Sequence, residues 1–147
     1  MKKAIILFIS ALVLGMTFSS CSNDDDSPAP APASVEGKWN FSKMSETVNG
    51  VTSPEEDYGH EPGCIKDYIE LKAGGVFNEV YYFGSDCASD LVTGTWSKSG
   101  NIITIRYEGG RVVSVEVVSV SSSVLKVKFS NTEGGITTVI NTTFTKA

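Results

Sequence analysis

The chain has 147 residues, of which 41% are hydrophobic and 20% charged, and its formal net charge is −5 at pH 7. This length suits one domain preceded by a short leader. The acidic balance and the absence of a Lys/Arg cluster exclude nucleic acid as an expected partner, because nucleic acids are bound by basic patches that neutralise phosphates.

The first 20 residues are typical of a signal peptide. Lys2 and Lys3 precede an apolar run over residues 4–14, which is shorter than the ~20 residues that a membrane-spanning helix needs. We expect residues 1–20 to be removed. The 127 residues that follow carry ten basic and 17 acidic side chains, a formal charge of −7.

Residues 15–21, GMTFSSC, resemble the lipobox of bacterial lipoproteins. In that motif the cysteine thiol receives a diacylglycerol and the cysteine becomes the mature N-terminus. Phe18 stands where the family usually has Leu, and it still supplies an apolar side chain. The resemblance implies that Cys21 is lipidated and anchors the protein to a membrane. The alternative is an ordinary cleaved signal peptide with a free cysteine nearby.

Residues 21–34 are predicted to form a tether. Asp24, Asp25 and Asp26 are followed by alternating Pro and Ala, which favour an extended spacer of roughly 40 Å. The acidic triplet resembles the lipoprotein export signal of Bacteroidota. It implies an outer-membrane lipoprotein exposed on the cell surface.

From residue 35 onward, short runs rich in Val, Ile, Thr and aromatic residues alternate with Gly, Asn and Ser turns. Alternation such as Ile69 and Leu71 inward with Glu70 outward indicates half-buried strands, and no run shows helical periodicity. Eight strands are predicted, at 37–46, 67–72, 76–83, 92–98, 102–107, 111–119, 124–130 and 136–146. Short turns join every consecutive pair except the first, so the strands should be sequential antiparallel neighbours. We therefore expect an all-β, eight-stranded, antiparallel up-and-down barrel.

Two cysteines remain if Cys21 is lipidated. An even number in an exported, oxidising setting favours a disulfide between Cys64 and Cys87, with a metal pair or two free thiols as the alternatives. A zinc site needs about four ligands, and His60 with two cysteines does not supply them.

Gly37-Lys38-Trp39 resembles the Gly-x-Trp motif that opens the first barrel strand of lipocalins, and Gly94-Thr95-Trp96 repeats the pattern. The wider ordered set is similar to the lipocalin-like domain of Bacteroidota lipoproteins; it also includes Cys64-x-Lys66-Asp67, Leu71 leading to Gly75-x-Phe77, Cys87, and Gly100-Asn101-x-Ile103. This resemblance implies a lipocalin-like barrel over residues 35–147 and a Cys64–Cys87 disulfide. It implies little about activity.

Lipocalins place an arginine from near the last strand over the first tryptophan. The corresponding candidate here is Lys146, which can form a cation–π contact but has no planar guanidinium. The sequence favours packing roles for Trp39 and Trp96 over ligand contact.

The main functional prediction is a non-enzymatic binding protein that takes a small hydrophobic ligand in the barrel or at its mouth. The candidate ligand-binding residues are Trp39, Phe77, Tyr81 and Trp96. Bulky inward side chains could instead fill the interior completely.

The alternative is a surface module that binds a protein or glycan through the loop at residues 47–63, over a solid barrel core. The acidic residues of this loop do not match the spacing of an EF-hand calcium site, so a solvated loop is expected. His60 has no partner nucleophile, so the sequence predicts no catalytic residue, cofactor or metal. We expect a monomer.

Overall fold

The computed structural model describes residues 33–147, which contain ten β-strands and no helix. The predicted signal peptide (1–20), the lipidation site Cys21 and nearly all of the predicted tether (21–34) lie outside the described residues. The strands are β1 (Gly37–Val48), β2 (Val51–Thr52), β3 (Glu56–Asp57), β4 (Tyr68–Leu71), β5 (Val76–Phe83), β6 (Ala88–Ser99), β7 (Ile102–Tyr107), β8 (Val112–Val120), β9 (Val124–Glu133) and β10 (Ile136–Lys146).

Eight of these strands form a closed antiparallel barrel. From β4 to β10 each strand pairs with the next along the chain, and β1 pairs with both β4 and β10. The closure is in register, with Trp39 opposite Ile69 on one side and opposite Lys146 on the other. Because both flanks of β1 are paired, the barrel has no free edge. The predicted fold class is confirmed.

The barrel has two distinct ends. The end that we call the Trp39 end holds the short turns at residues 72–75, 100–101 and 121–123. The opposite end, the loop end, holds the segment at 49–67 and the turns at 84–87, 108–111 and 134–135. Both tryptophans lie toward the Trp39 end, whereas the candidate binding loop leaves β1 at the loop end.

All eight predicted strands are present, with ends that differ by up to four residues. The two additional strands, β2 and β3, are two residues each and pair with β1 inside the loop that separates β1 from β4. Strand alternation predicts that Phe83 shares the inward face of β5 with Phe77 and Tyr81. Phe83 is instead 51% exposed, because it ends the strand at the rim of the loop end.

A single apolar core fills most of the barrel. Its largest fully buried side chains are Trp39, Leu71, Phe77, Ile103 and Leu125. They come from five different strands, so the core depends on closure of the whole barrel rather than on one hairpin.

Candidate functional site

Trp39 closes one end of the barrel. Its indole is fully buried, and Nε1–H donates a hydrogen bond to the carbonyl oxygen of Val35 at 2.7 Å. The Lys146 ammonium lies 4.1 Å from the centroid of the Trp39 ring and donates to the carbonyl of Glu36 at 2.8 Å. The predicted cation–π contact is confirmed, and it ties the last strand to the segment that enters the first.

Trp96 lies at the same end and is only partly buried. Its indole donates to the carbonyl of Lys72 at 2.9 Å, and the ring packs against the core. On its outer side it lines an open groove of about 580 Å³ with Val35, Val117 and Val120. Trp96 therefore fixes the turn between β4 and β5 and borders the outside of the barrel.

Aromatic rings cluster at the loop end. Tyr58, from the long loop, stacks on Phe41 with 4.7 Å between ring centroids, and Phe41 also contacts Phe144 at 4.8 Å. Burial, followed by the nearby charge of Asp67, raises the pKa of Tyr58 to about 12. The loop thus contributes a neutral aromatic cover to the interior.

His60 and Asp67 tie this loop to the barrel, a role that the sequence did not reveal. The backbone N–H of Asp67 donates to His60 Nδ1 at 3.1 Å. The other ring nitrogen, Nε2, must therefore carry the proton, and it donates to the carbonyl of Phe41 at 2.8 Å. The buried Asp67 carboxylate accepts from the backbone N–H of Tyr82 at 2.7 Å. Polar residues near a long loop gave no periodic signal that could have indicated these contacts.

The disulfide between Cys64 and Cys87 closes the far end of the same loop. The two Cα atoms are 5.5 Å apart and the residues are 23 positions apart in sequence. The predicted pairing is confirmed. It joins the segment before β4 to the turn between β5 and β6 at the loop end.

The interior is not completely filled. A cavity of about 120 Å³ lies within the barrel between the two ends. Most of its lining is apolar and comes from seven strands: Phe41, Ile69, Leu71, Phe77, Ile103, Ile105, Tyr107, Val113, Val115, Leu125, Val127, Phe129, Thr142 and Phe144, with Glu79 as the one ionisable carboxylate.

Glu79 projects into this interior from β5. It is 9% exposed, and its Oε1 accepts a hydrogen bond from the Tyr81 hydroxyl at 2.5 Å. Its Oε2 accepts from the Tyr107 hydroxyl at 3.2 Å. Sequence reasoning missed Glu79, although it lies between Phe77 and Tyr81 at alternate positions of the same strand. That alternation was the signal that could have revealed it.

Burial is the main cause of raised pKa values in both tyrosines that contact Glu79. The pKa of Tyr107 rises to about 12 and that of Tyr81 rises well above its usual range, with the Glu79 carboxylate as the next cause in each case. Both hydroxyls therefore stay protonated at neutral pH and act as hydrogen-bond donors to the carboxylate.

The four candidate ligand-binding residues lie at different depths. Phe77 lines the cavity, whereas Trp39 and Trp96 lie toward the Trp39 end and Tyr81 contacts the cavity's carboxylate through its hydroxyl. Ligand contact by these residues stays a prediction.

A second depression lies outside the barrel beside the long loop. It is an open groove of about 570 Å³, lined by Met44, Ser45, Glu46, Ser53, Pro54, Glu56, Asp57, Tyr58, Gly59 and Ile140. Its acidic side chains are dispersed, and Asp57 pairs with Lys43 at 3.0 Å.

Across residues 33–147, no three His, Cys, Asp or Glu side chains are grouped closely enough to hold a metal ion. The same residues contain no helix long and apolar enough to cross a membrane.

A sequence model described as a lipocalin-like domain matches residues 35–127. The chain belongs to this family. No curated relative matches the sequence. The matched residues run from the Trp39 end through β8 and into β9, so they include both Gly-x-Trp patterns and both cysteines of the disulfide.

Two solved structures from Bacteroides share the fold of this chain. A lipocalin-like protein from Bacteroides uniformis is 16% identical, with a TM-score of 0.51 over 76% of this chain and 97% of the other. An uncharacterized protein from Bacteroides eggerthii is 11% identical, with a TM-score of 0.53 over 76% and 98%. A triple mutant of bovine odorant-binding protein is 20% identical, with a TM-score of 0.43 over 76% and 72%. At these identities the likeness concerns the fold alone.

Proposed function

We propose that this lipocalin-like chain is a non-enzymatic binding protein that holds a small, mainly apolar molecule inside its barrel. The observation that carries the proposal is the internal cavity of about 120 Å³ with its apolar lining. Pockets for drug-sized ligands usually measure about 300–1,000 Å³, whereas an apolar cavity of about 150 Å³ is enough to bind benzene. At about 120 Å³ this cavity is smaller than that benzene site, so about six non-hydrogen atoms is the upper limit for a molecule held entirely inside, and a longer ligand would enter with a short part only.

Thermal unfolding with benzene and methylcyclopentane as probes tests this proposal. Either ligand should raise the melting temperature, because binding to the folded state alone stabilises it by mass action. Val115→Phe would fill the cavity from β8 and should remove the shift. Val118→Phe is the matched control, since Val118 is on the same strand and 57% exposed. Absence of any shift in the wild type would contradict the proposal, as would an undiminished shift in the Val115→Phe variant.

We further propose that the protein is anchored through a lipid on Cys21 at the outer surface of the outer membrane. The support is in the sequence: the lipobox-like residues 15–21, the acidic triplet that follows and the Pro-Ala tether. In a Bacteroides host, labelled palmitate should enter the wild type but not a Cys21→Ala variant. Protease added to intact cells should digest the wild type. Protection in intact cells, with digestion only after lysis, would rule out surface exposure.

The closed barrel also supports a monomer, because it offers no unpaired strand of its own for β-sheet pairing. Sedimentation analysis of residues 22–147 should give the mass of one chain. A concentration-dependent increase to twice that mass would contradict this part of the proposal.

A second candidate function is recognition of a protein or glycan through the loop at residues 47–63. The groove beside this loop favours it, because that groove is open and carries both an aromatic side chain, Tyr58, and several carboxylates. Deleting residues 49–55 should abolish partner capture while leaving the β-sheet spectrum unchanged. Unchanged capture would exclude the loop as the recognition element.

A further inference from the structure

The interior of the barrel contains a carboxylate with unused hydrogen-bonding capacity. Glu79 is 9% exposed, and its two oxygens accept one hydrogen bond each, from Tyr81 and Tyr107. An ionised carboxylate offers about four acceptor positions. Two positions therefore remain on a group that lines the cavity.

No ion pair of the described part of the chain reaches this carboxylate, since none of those within 4 Å includes Glu79. Arg111 places its guanidinium carbon 4.1 Å from the centroid of the Tyr107 ring and thus contacts the ring face. A buried charge without an opposite partner is costly, so such groups are usually paired.

We propose that the cavity selects a small primary amine whose ammonium group pairs with Glu79 while its apolar part fills the Phe77 side of the cavity. This inference rests on the proposed function and specifies its ligand class. Folding has already removed the carboxylate from water, so an ammonium group that enters gains a strong electrostatic contact in a poorly screened site. Charge-assisted hydrogen bonds of this kind are about twice as strong as neutral ones.

The net charge of the whole chain also favours a cationic ligand. The formal net charge is −5, and a negative surface raises the local concentration of small cations. The cavity volume limits the ligand to about six non-hydrogen atoms, so a bulky or polycationic amine would not fit.

The test compares cyclopentylamine with methylcyclopentane, which have the same shape and differ in charge. By calorimetry or ligand-observed NMR at neutral pH, the wild type should bind the amine at least about tenfold more tightly than the hydrocarbon. Glu79→Gln should abolish that preference, because it preserves the shape of the side chain but removes its charge. The affinity for methylcyclopentane should change less than about threefold.

Glu70→Gln is the matched control. Glu70 lies on β4, where Asn78 donates to it at 3.3 Å and Lys72 pairs with it at 3.3 Å, so its loss should leave the amine preference intact. If Glu79→Gln does not fold, the wild type still decides the question with cyclopentanol, a neutral donor of the same size. Equal affinities for cyclopentanol and cyclopentylamine would show that the cavity does not select a positively charged ligand.

The possible failures are distinguishable. If methylcyclopentane binds and cyclopentylamine binds no more tightly, the ligand class is wrong while the binding function stands. If neither binds to the wild type, both the ligand class and the proposed binding function fail.

Discussion

Both glycines of the repeated Gly-x-Trp pattern occupy positions where a Cβ atom would collide with a neighbour. Gly37 has a φ of 125°, in the region that favours glycine, and a Cβ there would overlap the Lys146 ammonium. At Gly94 a Cβ would overlap the backbone carbonyl of Arg106 on β7. The two glycines of the motif therefore allow two close approaches. At Gly37 the Lys146 side chain approaches over Trp39, and at Gly94 the adjacent strands β6 and β7 approach each other.

Gly94→Ala should destabilise the domain by about 1–3 kcal/mol, because β6 and β7 must separate to accommodate the methyl group. Urea unfolding followed by tryptophan fluorescence measures the loss. Gly59→Ala is the control, since no atom lies within 4 Å of the position that the added methyl group would occupy and the φ of Gly59 is not positive; it should change stability by less than about 0.5 kcal/mol. Equal stability of the two variants would show that the approach at Gly94 is unimportant.

Individual residues were predictable where they belong to a motif or to a strand pattern. Trp39 and Lys146 follow from their positions at the first and last strands, and their contact is present. The alternation of β5 places Glu79 on the same face as Phe77 and Tyr81, but it does not predict burial, because a single acidic residue in an alternating strand also occurs at an exposed rim. Its burial depends on the position of Tyr107, 28 residues later in the chain.

At the scale of elements, the loop between β1 and β4 combines a disulfide, an aromatic contact and two short strands. β2 and β3 each contain two residues, too few to produce a periodic pattern, so the sequence could indicate only a long loop. The eight barrel strands have four or more residues each and show the alternation or turn residues that made them predictable.

Removing the disulfide should cost a large part of the domain's stability. Cys64→Ser with Cys87→Ser opens a connection across 23 residues, for which the loop-entropy relation gives about 3.5 kcal/mol. Urea unfolding of the double variant should therefore show a much lower midpoint. Wild-type protein treated with a reductant should approach the same midpoint, and a double variant as stable as the oxidised wild type would contradict the prediction.

At the scale of the whole molecule, the barrel itself could be predicted but its internal volume could not. Topology follows from strand order and turn length, which are local properties of the sequence. The cavity is the space left by side chains from seven strands, including Phe41, Phe129 and Phe144. Interiors are closely packed, so the orientation of each of these rings changes that space, and only the assembled barrel determines it.

Buried tyrosines also limit the stability of the whole domain at alkaline pH. Burial is the largest cause that raises the pKa of both Tyr58 and Tyr107 to about 12, and the pKa of Tyr81 is raised as well. In the unfolded chain a tyrosine has its ordinary pKa of about 10. Above that pH the unfolded state releases protons that the folded state retains. This contribution to stability is therefore complete below about pH 10 and is lost as the pH rises toward 12.

Tyr58→Phe isolates one of these contributions, because it keeps the ring that stacks on Phe41 and removes the ionisable hydroxyl. The free energy of unfolding in urea, measured from neutral pH to about pH 12, should fall less steeply for the variant than for the wild type. At neutral pH the two proteins can differ in stability, so the comparison concerns the slopes. Parallel curves would mean that Tyr58 ionises with equal ease in the folded and unfolded states, and its ring would then not be the dry cover that its contacts with Phe41 indicate. A shallower curve for the Tyr58→Phe variant would show that the loop excludes water from the loop end of the barrel. Where water is excluded, the charge of the interior Glu79 carboxylate is also poorly screened.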